Sequence, residues 1–162
     1  MKHLLILFLL VLLVLLPLGS AGAAGGPTYL PLVQRSCASA PAYYPPSNLQ
    51  MELDMAAAIN AERAANGLPA LALDNRLTQA ARRHSADMAA NQFVDHTGSD
   101  GSSPGQRMEQ ACYDWNYWGE IIGAGYPTVE AMLDGWLNSP PHRAILLDPN
   151  YQDFGIGYVY AA

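Results

Sequence analysis

Two helix-length stretches with recognisable ends constrain the fold of this 162-residue chain most strongly. The first spans about residues 49–66 and the second about residues 75–91. Ser47 or Asn48 can cap the start of the first stretch and Asp74 that of the second, because their side-chain oxygens accept from free backbone N–H groups. Such paired signals predict two helices early in the chain.

The second half of the chain predicts shorter elements. Proline at the first turn predicts a helix over residues 104–110, and Thr128 can cap another that ends near Asn138. Residues 153–160 alternate between large apolar and other residues, which predicts a strand. Gly155 and Gly157 share the other face of that strand, where a neighbouring element must approach the backbone closely. Early helices and a late strand predict an α+β fold.

Apolar residues at helical spacing predict which helix faces are buried. His84 lies within the second stripe, which favours a buried, hydrogen-bonded structural histidine over a metal ligand. The predicted stripes are Leu53, Ala56, Ala57, Asn60 and Ala64 in the first helix; Leu77, Ala80, Ala81, His84 and Met88 in the second; and Val129, Met132, Leu133 and Trp136 in the helix after Thr128.

The N-terminal residues predict an export signal. Lys2 precedes an uncharged apolar run, Leu4–Leu16, and small residues follow at 21–24. This pattern is typical of a secretory signal peptide over residues 1–24, cleaved near Ala23 or Ala24. A membrane span needs roughly 20 apolar residues, so an uncleaved anchor is the less favoured alternative. We therefore expect a secreted, extracellular protein without a transmembrane segment in its mature form.

The remaining chain divides into a linker and one domain. Residues 25–48 are rich in Pro, Tyr and Ser, which favours an extended linker, and residues 49–162 form the predicted domain. Without its leader the chain carries seven arginines and no lysine against fourteen acidic residues, a net charge of about −7. This balance argues against nucleic-acid binding and against attraction to anionic membranes.

The two cysteines, Cys37 and Cys112, can form a disulfide in an exported protein. Closing a loop of that length would stabilise the fold by about 4.5 kcal/mol in the chain-entropy model. Two free thiols are the alternative. Neither cysteine has histidine neighbours at metal-ligand spacing.

Several segments together resemble one protein family, although each is short. The chain is similar to the CAP superfamily, which comprises cysteine-rich secretory, antigen 5 and pathogenesis-related 1 proteins, and to its bacterial SCP-like branch. The resemblance implies a three-layer α-β-α sandwich with a central antiparallel sheet, whose last strand in relatives lies beyond residue 162. The segments that carry it are Leu53–Leu71, Ala81–Met88, Phe93–His96, Gly98–Pro104, Gly119-Glu120, Trp136–Arg143 and Gly155–Gly157.

The resemblance also implies a site. The cleft of this family gathers two histidines and two acidic residues, and some members bind a divalent metal there. His96, Glu120 and His142 match three of these positions, and Ser139 stands where the second glutamate usually lies. His96 and His142 would then be ligands for a metal such as zinc, bound weakly because structural zinc usually takes four ligands. The alternative is a hydrogen-bonded polar cluster that stabilises the cleft.

Three functional interpretations remain open. The favoured one is a non-enzymatic extracellular module that binds a small ligand, an envelope component or a protein. The second is a metal-assisted, peptidase-like hydrolase in which Glu120, His96 and His142 are the catalytic candidates. Ser139 with His142 could also form a serine–base pair, although a serine before two prolines is more typical of a helix cap. The third is lipid or sterol binding in a groove lined by Trp115, Trp118, Trp136 and tyrosines.

Overall fold

Five helices and four short strands form the part of the chain that the computed structural model describes, which is the backbone of residues 9–12 and all of residues 42–160. The helices are α1 (Leu49–Ala65), α2 (Asn75–Asn91), α3 (Pro104–Gln110), α4 (Val129–Leu137) and α5 (Pro140–Leu146). The strands are β1 (Leu9–Leu12), β2 (Ala72–Leu73), β3 (Trp118–Ile121) and β4 (Asp153–Gly155).

Three helix starts follow the predicted caps. Asn48 accepts from the backbone of α1, and Asp74 accepts from two N–H groups at the start of α2. Ser103 forms a reciprocal capping box with Gln106 at α3, and Thr128 caps α4. Since these bonds satisfy N–H groups that the helix itself leaves free, each start is set by residues next to it in the chain.

The strands form one sheet in the order β2-β4-β1-β3. β1 is antiparallel to both β3 and β4, and β2 pairs parallel with β4. The predicted antiparallel sheet therefore carries one parallel pair at its edge. The strand predicted over residues 153–160 ends at Gly155, and the chain continues without ladder pairing to Tyr160.

Helices cover both faces of the sheet, as an α+β sandwich requires. The main core joins α1, α4 and α5 to one face through Met55, Ile59, Met132, Trp136 and Phe154, among others. On the other face α2 packs so closely on β4 that a Cβ on Gly155 would collide with the backbone of Leu77 and Thr78. Gly157 meets α2 in the same way at Ala81 and Arg82. The predicted close approach at these two glycines is thus observed.

The predicted buried stripe of α1 is wrong. Leu53 is 43% exposed, whereas the buried positions are Glu52, Met55, Ile59 and Arg63. Two charged residues lie on the buried face because each is engaged in several hydrogen bonds, which offsets the cost of burial. Glu52 binds the Arg82 guanidinium, and Arg63 donates to the backbone carbonyls of Pro69 and Leu146.

The stripes of α2 and α4 are observed as predicted. All five predicted residues of α2 are buried, as are Val129, Met132 and Trp136 of α4, while Leu133 is partly buried. No helix within the described residues is long and apolar enough to cross a bilayer.

The linker and the leader lie largely outside the described residues. Where the linker is described, the backbone of Tyr44 bonds to Gln79 and Arg82 of α2. Cys112 has a left-handed backbone (φ 66°) and is not a free thiol. Its predicted partner, Cys37, lies outside the described residues, so the pairing stays a prediction.

Candidate functional site

The three predicted site residues come from three different elements. His96 lies in the connection between α2 and α3, Glu120 on β3, and His142 on α5. The structure brings His96 into direct contact with Glu120. His142 is near enough to His96 that a charge on His96 lowers the pKa of His142. Local sequence motifs could not show that these side chains approach one another, because the residues are far apart along the chain.

Glu120 is a buried carboxylate with two partners. Its side chain is 2% exposed, and Arg107 Nη2 lies 2.9 Å from Oε2 and 3.2 Å from Oε1. His96 Nδ1 lies 2.8 Å from Oε1. A buried carboxylate is tolerated only when it is paired and hydrogen-bonded, and Glu120 meets both conditions.

Arg107 is the residue of this cluster that the sequence reasoning missed. It lies on α3 with its side chain 2% exposed, and it donates to Ser102 O at 2.7 Å and to His96 O at 2.9 Å. The guanidinium therefore holds the carboxylate and the loop that carries His96 at once. The sequence feature that could have pointed to Arg107 is its position next to an apolar residue, Met108, in a helix of only seven residues.

The ring of His96 is held by Glu120 and stays about half exposed to solvent. Because a carboxylate only accepts, the proton between the two groups belongs to Nδ1 of His96, which leaves Nε2 as the other functional atom. The hydrogen bond to Glu120 raises the pKa of His96 above its ordinary value of 6.5, against a smaller opposing effect of burial. About half of the side chain, 52%, is exposed.

His84 has the structural role predicted for it. It is 1% exposed, and its Nε2 lies 2.8 Å from the carbonyl oxygen of Asp95. Burial lowers the pKa of His84, so the ring stays neutral and donates to that carbonyl. The contact anchors the loop immediately before His96.

His142 has a buried nitrogen without a hydrogen-bond partner among the described residues. The atom is Nδ1, on a ring that is only partly exposed. Burial lowers the pKa of His142, and the charge of His96 lowers it further. A neutral imidazole with an unpartnered buried nitrogen is suited to accept a hydrogen bond or to bind a metal.

Ser139 lies at the N-cap position of α5, but its hydroxyl makes no capping hydrogen bond. Pro141, at the second position of α5, has no N–H, which removes one of the two donors that an N-cap side chain would serve. No hydrogen bond joins Ser139 to His142 within residues 42–160, where Nδ1 of His142 has no partner. The serine–base pair therefore stays a prediction.

The side chains of this site provide only some of the ligands that a bound metal needs. Within the described residues no three His, Cys, Asp or Glu side chains converge as a metal group. Glu120 is occupied by Arg107 and His96, so it would act on a metal only by orienting the His96 ring. His96 Nε2 and a nitrogen of His142 are the two donors left, which would suit a weakly held zinc with water in the other positions.

The three tryptophans contribute mainly to packing. Trp136 is 2% exposed and donates to Ile122 O, and Trp115 donates to Gly105 O. Trp115 and Trp118 pack edge to face with ring centroids 6.0 Å apart. Lipid or sterol binding in an aromatic groove gains no support from these contacts and stays a prediction.

Sequence comparison finds a matching family model and several similar proteins. The family model described as "CAP: Cysteine-rich secretory protein family" matches residues 56–162. The chain is 37% identical over 100 residues to the uncharacterized protein YkwD of Bacillus subtilis, covering 62% of this chain and 39% of that protein. It is 35% identical over 98 residues to the uncharacterized membrane protein YlbC of the same organism, covering 60% of this chain and 28% of that one. The chain thus spans well under half of these relatives.

Solved structures show the same fold. An extracellular protein containing an SCP domain from Bacillus anthracis superposes with a TM-score of 0.67 at 30% identity, over 68% of this chain and 37% of that one. An outer surface protein of Borrelia burgdorferi superposes with a TM-score of 0.60 at 26% identity, over 65% of this chain and 78% of that one. Because the family model matches well over half of the residues, the chain belongs to the CAP family of cysteine-rich secretory proteins.

Proposed function

We propose that this chain is an exported binding module that works without catalysis, with recognition centred on His96 and His142. Its predicted leader, residues 1–24, and the extracellular or outer-surface descriptions of two structural relatives support export. The ligand classes that suit such a module are a small molecule, an envelope component or a protein partner. The acidic balance of the chain disfavours nucleic acid.

One observation carries the non-enzymatic assignment: the Glu120 carboxylate is fully engaged. A general base needs an oxygen within reach of the proton that it removes. Here one oxygen faces Arg107, the other is shared between Arg107 and His96, and the side chain is 2% exposed. Glu120 therefore acts as a positioning group that fixes the His96 ring.

The unpartnered nitrogen of His142 supports a weak divalent-metal site as the recognition point. With His96 Nδ1 held by Glu120, a zinc ion would meet His96 Nε2 and an imidazole nitrogen of His142. A ligand or partner that supplied a further donor would then bind through the metal. A hydrogen-bonded polar cluster without metal is the competing explanation for the same contacts.

Isothermal titration of zinc into the purified exported protein tests this proposal. We expect a measurable binding heat for the wild type and for Arg143→Ala, an exposed change on the same helix. The double variant His96→Ala/His142→Ala should lose that heat. Equal heats from all three proteins would remove the metal proposal and leave the polar cluster. Magnesium serves as the matched negative titrant, because it prefers oxygen ligands.

A metal-assisted hydrolase is the second candidate, and the His96–Glu120 contact is the observation that favours it. An imidazole oriented by a carboxylate can act as a general base. A screen with casein and ester substrates, with and without zinc, separates the two functions. We expect no turnover. Turnover that His96→Ala and Glu120→Gln abolish, but Arg143→Ala preserves, would overturn the non-enzymatic assignment.

We also propose that Cys37 pairs with Cys112 in the exported chain. Such a disulfide would fasten the linker near the start of α2, where Arg76 donates to Cys112 O. Labelling of free thiols under denaturing conditions tests the pairing. Label uptake only after reduction supports it, and uptake by both cysteines without reductant contradicts it.

A further inference from the structure

A small pocket lies where the start of α1 meets the start of α2 and the edge strand β2. Its volume is about 180 Å³, several times the roughly 30 Å³ share of one water molecule and below the roughly 300–1,000 Å³ of sites for drug-sized ligands. The pocket therefore suits a single ring-sized group. Its aliphatic lining residues are Leu49, Leu53, Leu73 and Ile156.

The hydroxyl of Thr78 is a buried polar group that this pocket leaves unsatisfied. Thr78 lines the pocket and is 5% exposed, and its Oγ1 has no hydrogen-bond partner among the described residues. Its backbone N–H donates to Asp74 O at 2.9 Å, so only the side chain lacks a partner. A buried hydroxyl without a partner is unfavourable, and an occupant with one hydrogen-bonding group would satisfy it.

The two charged residues that line the pocket neutralise each other. Arg82 Nη2 lies 2.5 Å from Glu52 Oε2 and Arg82 Nε lies 2.9 Å from Oε1, and the two side chains are 8% and 4% exposed. Glu52 Oε1 also accepts from the backbone N–H of Tyr158 at 3.1 Å. A charged occupant would find no free counter-charge on these lining residues, and an unpaired buried charge is unfavourable. The lining therefore selects a neutral group.

Three large aliphatic side chains at the pocket are exposed to solvent. Leu49 is 51% exposed, Leu73 46% and Leu53 43%. A single exposed leucine is ordinary, whereas exposed apolar residues gathered at one opening are typical of a surface that binds another protein. A partner that covers these leucines needs apolar side chains beside the group that enters the pocket.

We propose that this pocket, here called the Thr78 pocket, receives one tyrosine side chain of a partner protein, presented between apolar residues. The phenol ring packs against the aliphatic walls, and its hydroxyl forms a hydrogen bond with Thr78 Oγ1. Tyrosine matches the size, the neutrality and the single polar group, and ordering it fixes only two side-chain torsions. The Thr78 pocket shares no residue with the histidine site, so this inference does not depend on the proposed metal.

Two blocked tripeptides, Leu-Tyr-Leu and Leu-Phe-Leu, test the hydrogen bond in the purified exported protein. Binding is followed by the NMR signals of the Thr78 N–H and the Ile156 methyl groups. We expect Leu-Tyr-Leu to bind about threefold to tenfold more tightly than Leu-Phe-Leu, as one net hydrogen bond implies. Equal affinities, or no response of these signals to either peptide, would overturn the proposal.

A matched pair of variants shows whether the Thr78 hydroxyl causes the preference. Thr78→Val keeps the shape of the side chain and removes the hydroxyl, so it should bind both peptides equally. Thr78→Ser keeps the hydroxyl and should keep the preference for tyrosine. Because the hydroxyl has no partner, Thr78→Val should unfold in urea at no lower concentration than the wild type. A clearly lower midpoint would show that the hydroxyl is already satisfied, which would contradict the proposal.

The exposed leucines distinguish a protein partner from a free phenol. We expect Leu-Tyr-Leu to bind more tightly than Ser-Tyr-Ser or p-cresol, and Leu53→Ala/Leu73→Ala to remove that advantage. Val94→Ala, which changes another exposed apolar residue, should preserve it. If p-cresol or Ser-Tyr-Ser bound as tightly as Leu-Tyr-Leu, the partner protein would be refuted as the source of the ring.

Discussion

Replacing Arg107 with methionine should strip the buried Glu120 carboxylate of its cationic partner. Both side chains are 2% exposed, and the closest atoms are 2.9 Å apart. Removing one partner of a buried ion pair costs about 3–5 kcal/mol, because it leaves an uncompensated buried charge. The variant also loses donation to Ser102 O and His96 O, so we expect the upper part of that range.

Such a loss is large beside a total stability of about 5–15 kcal/mol. Urea unfolding followed by tryptophan fluorescence measures it through the midpoint and the slope. The double variant Arg107→Met/Glu120→Leu removes both charges and should regain about 2 kcal/mol or more over the single variant. The matched control is Arg83→Met, which breaks a 2.6 Å pair with the 51% exposed Asp100.

The control should lose less than about 1 kcal/mol, because exposed ion pairs contribute little. A loss for Arg107→Met no greater than that for Arg83→Met would refute the reasoning. The same conclusion would follow if the double variant were no more stable than Arg107→Met alone.

Three further predictions concern the site and its scaffold. The pKa of His96 is raised, so its contribution to stability is present below its ordinary pKa of 6.5 and is lost as the pH rises through the raised value. Urea unfolding should therefore show the stability gap between wild type and Glu120→Gln widening as the pH falls from above the raised pKa to below 6.5. Gly155→Ala should lower the free energy of unfolding by about 1–3 kcal/mol or more, because the added Cβ clashes with α2. Gly125→Ala, in open space at φ +82°, should lower it by about 1 kcal/mol through backbone strain alone. Equal shifts of the thermal midpoint in the two variants would contradict this. Thr128→Ala removes the cap of α4 and should lower the free energy of unfolding, measured in urea, by about 1 kcal/mol. An unchanged free energy of unfolding would show that the cap contributes nothing.

The helices were predictable because their signals are local. Asn48, Asp74, Ser103 and Thr128 each satisfy N–H groups within a few residues, so the pattern and the structure report the same contacts. The buried face of α1 was not predictable in this way. It depends on Glu52 meeting Arg82 thirty residues later, and apolar spacing contains no such information.

The strands were predicted poorly because they are short and paired at long range. β2 has two residues and β4 three, too few for an alternating pattern to be distinctive. β3 lies in an aromatic stretch without alternation, and β1 lies in a run that predicts a leader. Which segments pair is decided by the packed helices around them.

The site was predicted from a family resemblance rather than from physical pattern. His96, Glu120 and His142 were named by motif position, and the structure adds the contact of the first two. The engagement of Glu120 by Arg107 could not be foreseen, since nothing in a seven-residue helix reveals which carboxylate its arginine will meet. That engagement decides what Glu120 can do chemically.

The titration of His142, followed by the NMR signal of its ring, tests most directly whether the two histidines share one site. Burial and the charge of His96 both lower the pKa of His142 below 6.5. In His96→Gln the charge is gone, so the pKa of His142 should rise part of the way back while Arg143→Ala leaves it unchanged. A His142 pKa that is not lowered in the wild type, or that does not respond to His96→Gln, would contradict the shared site.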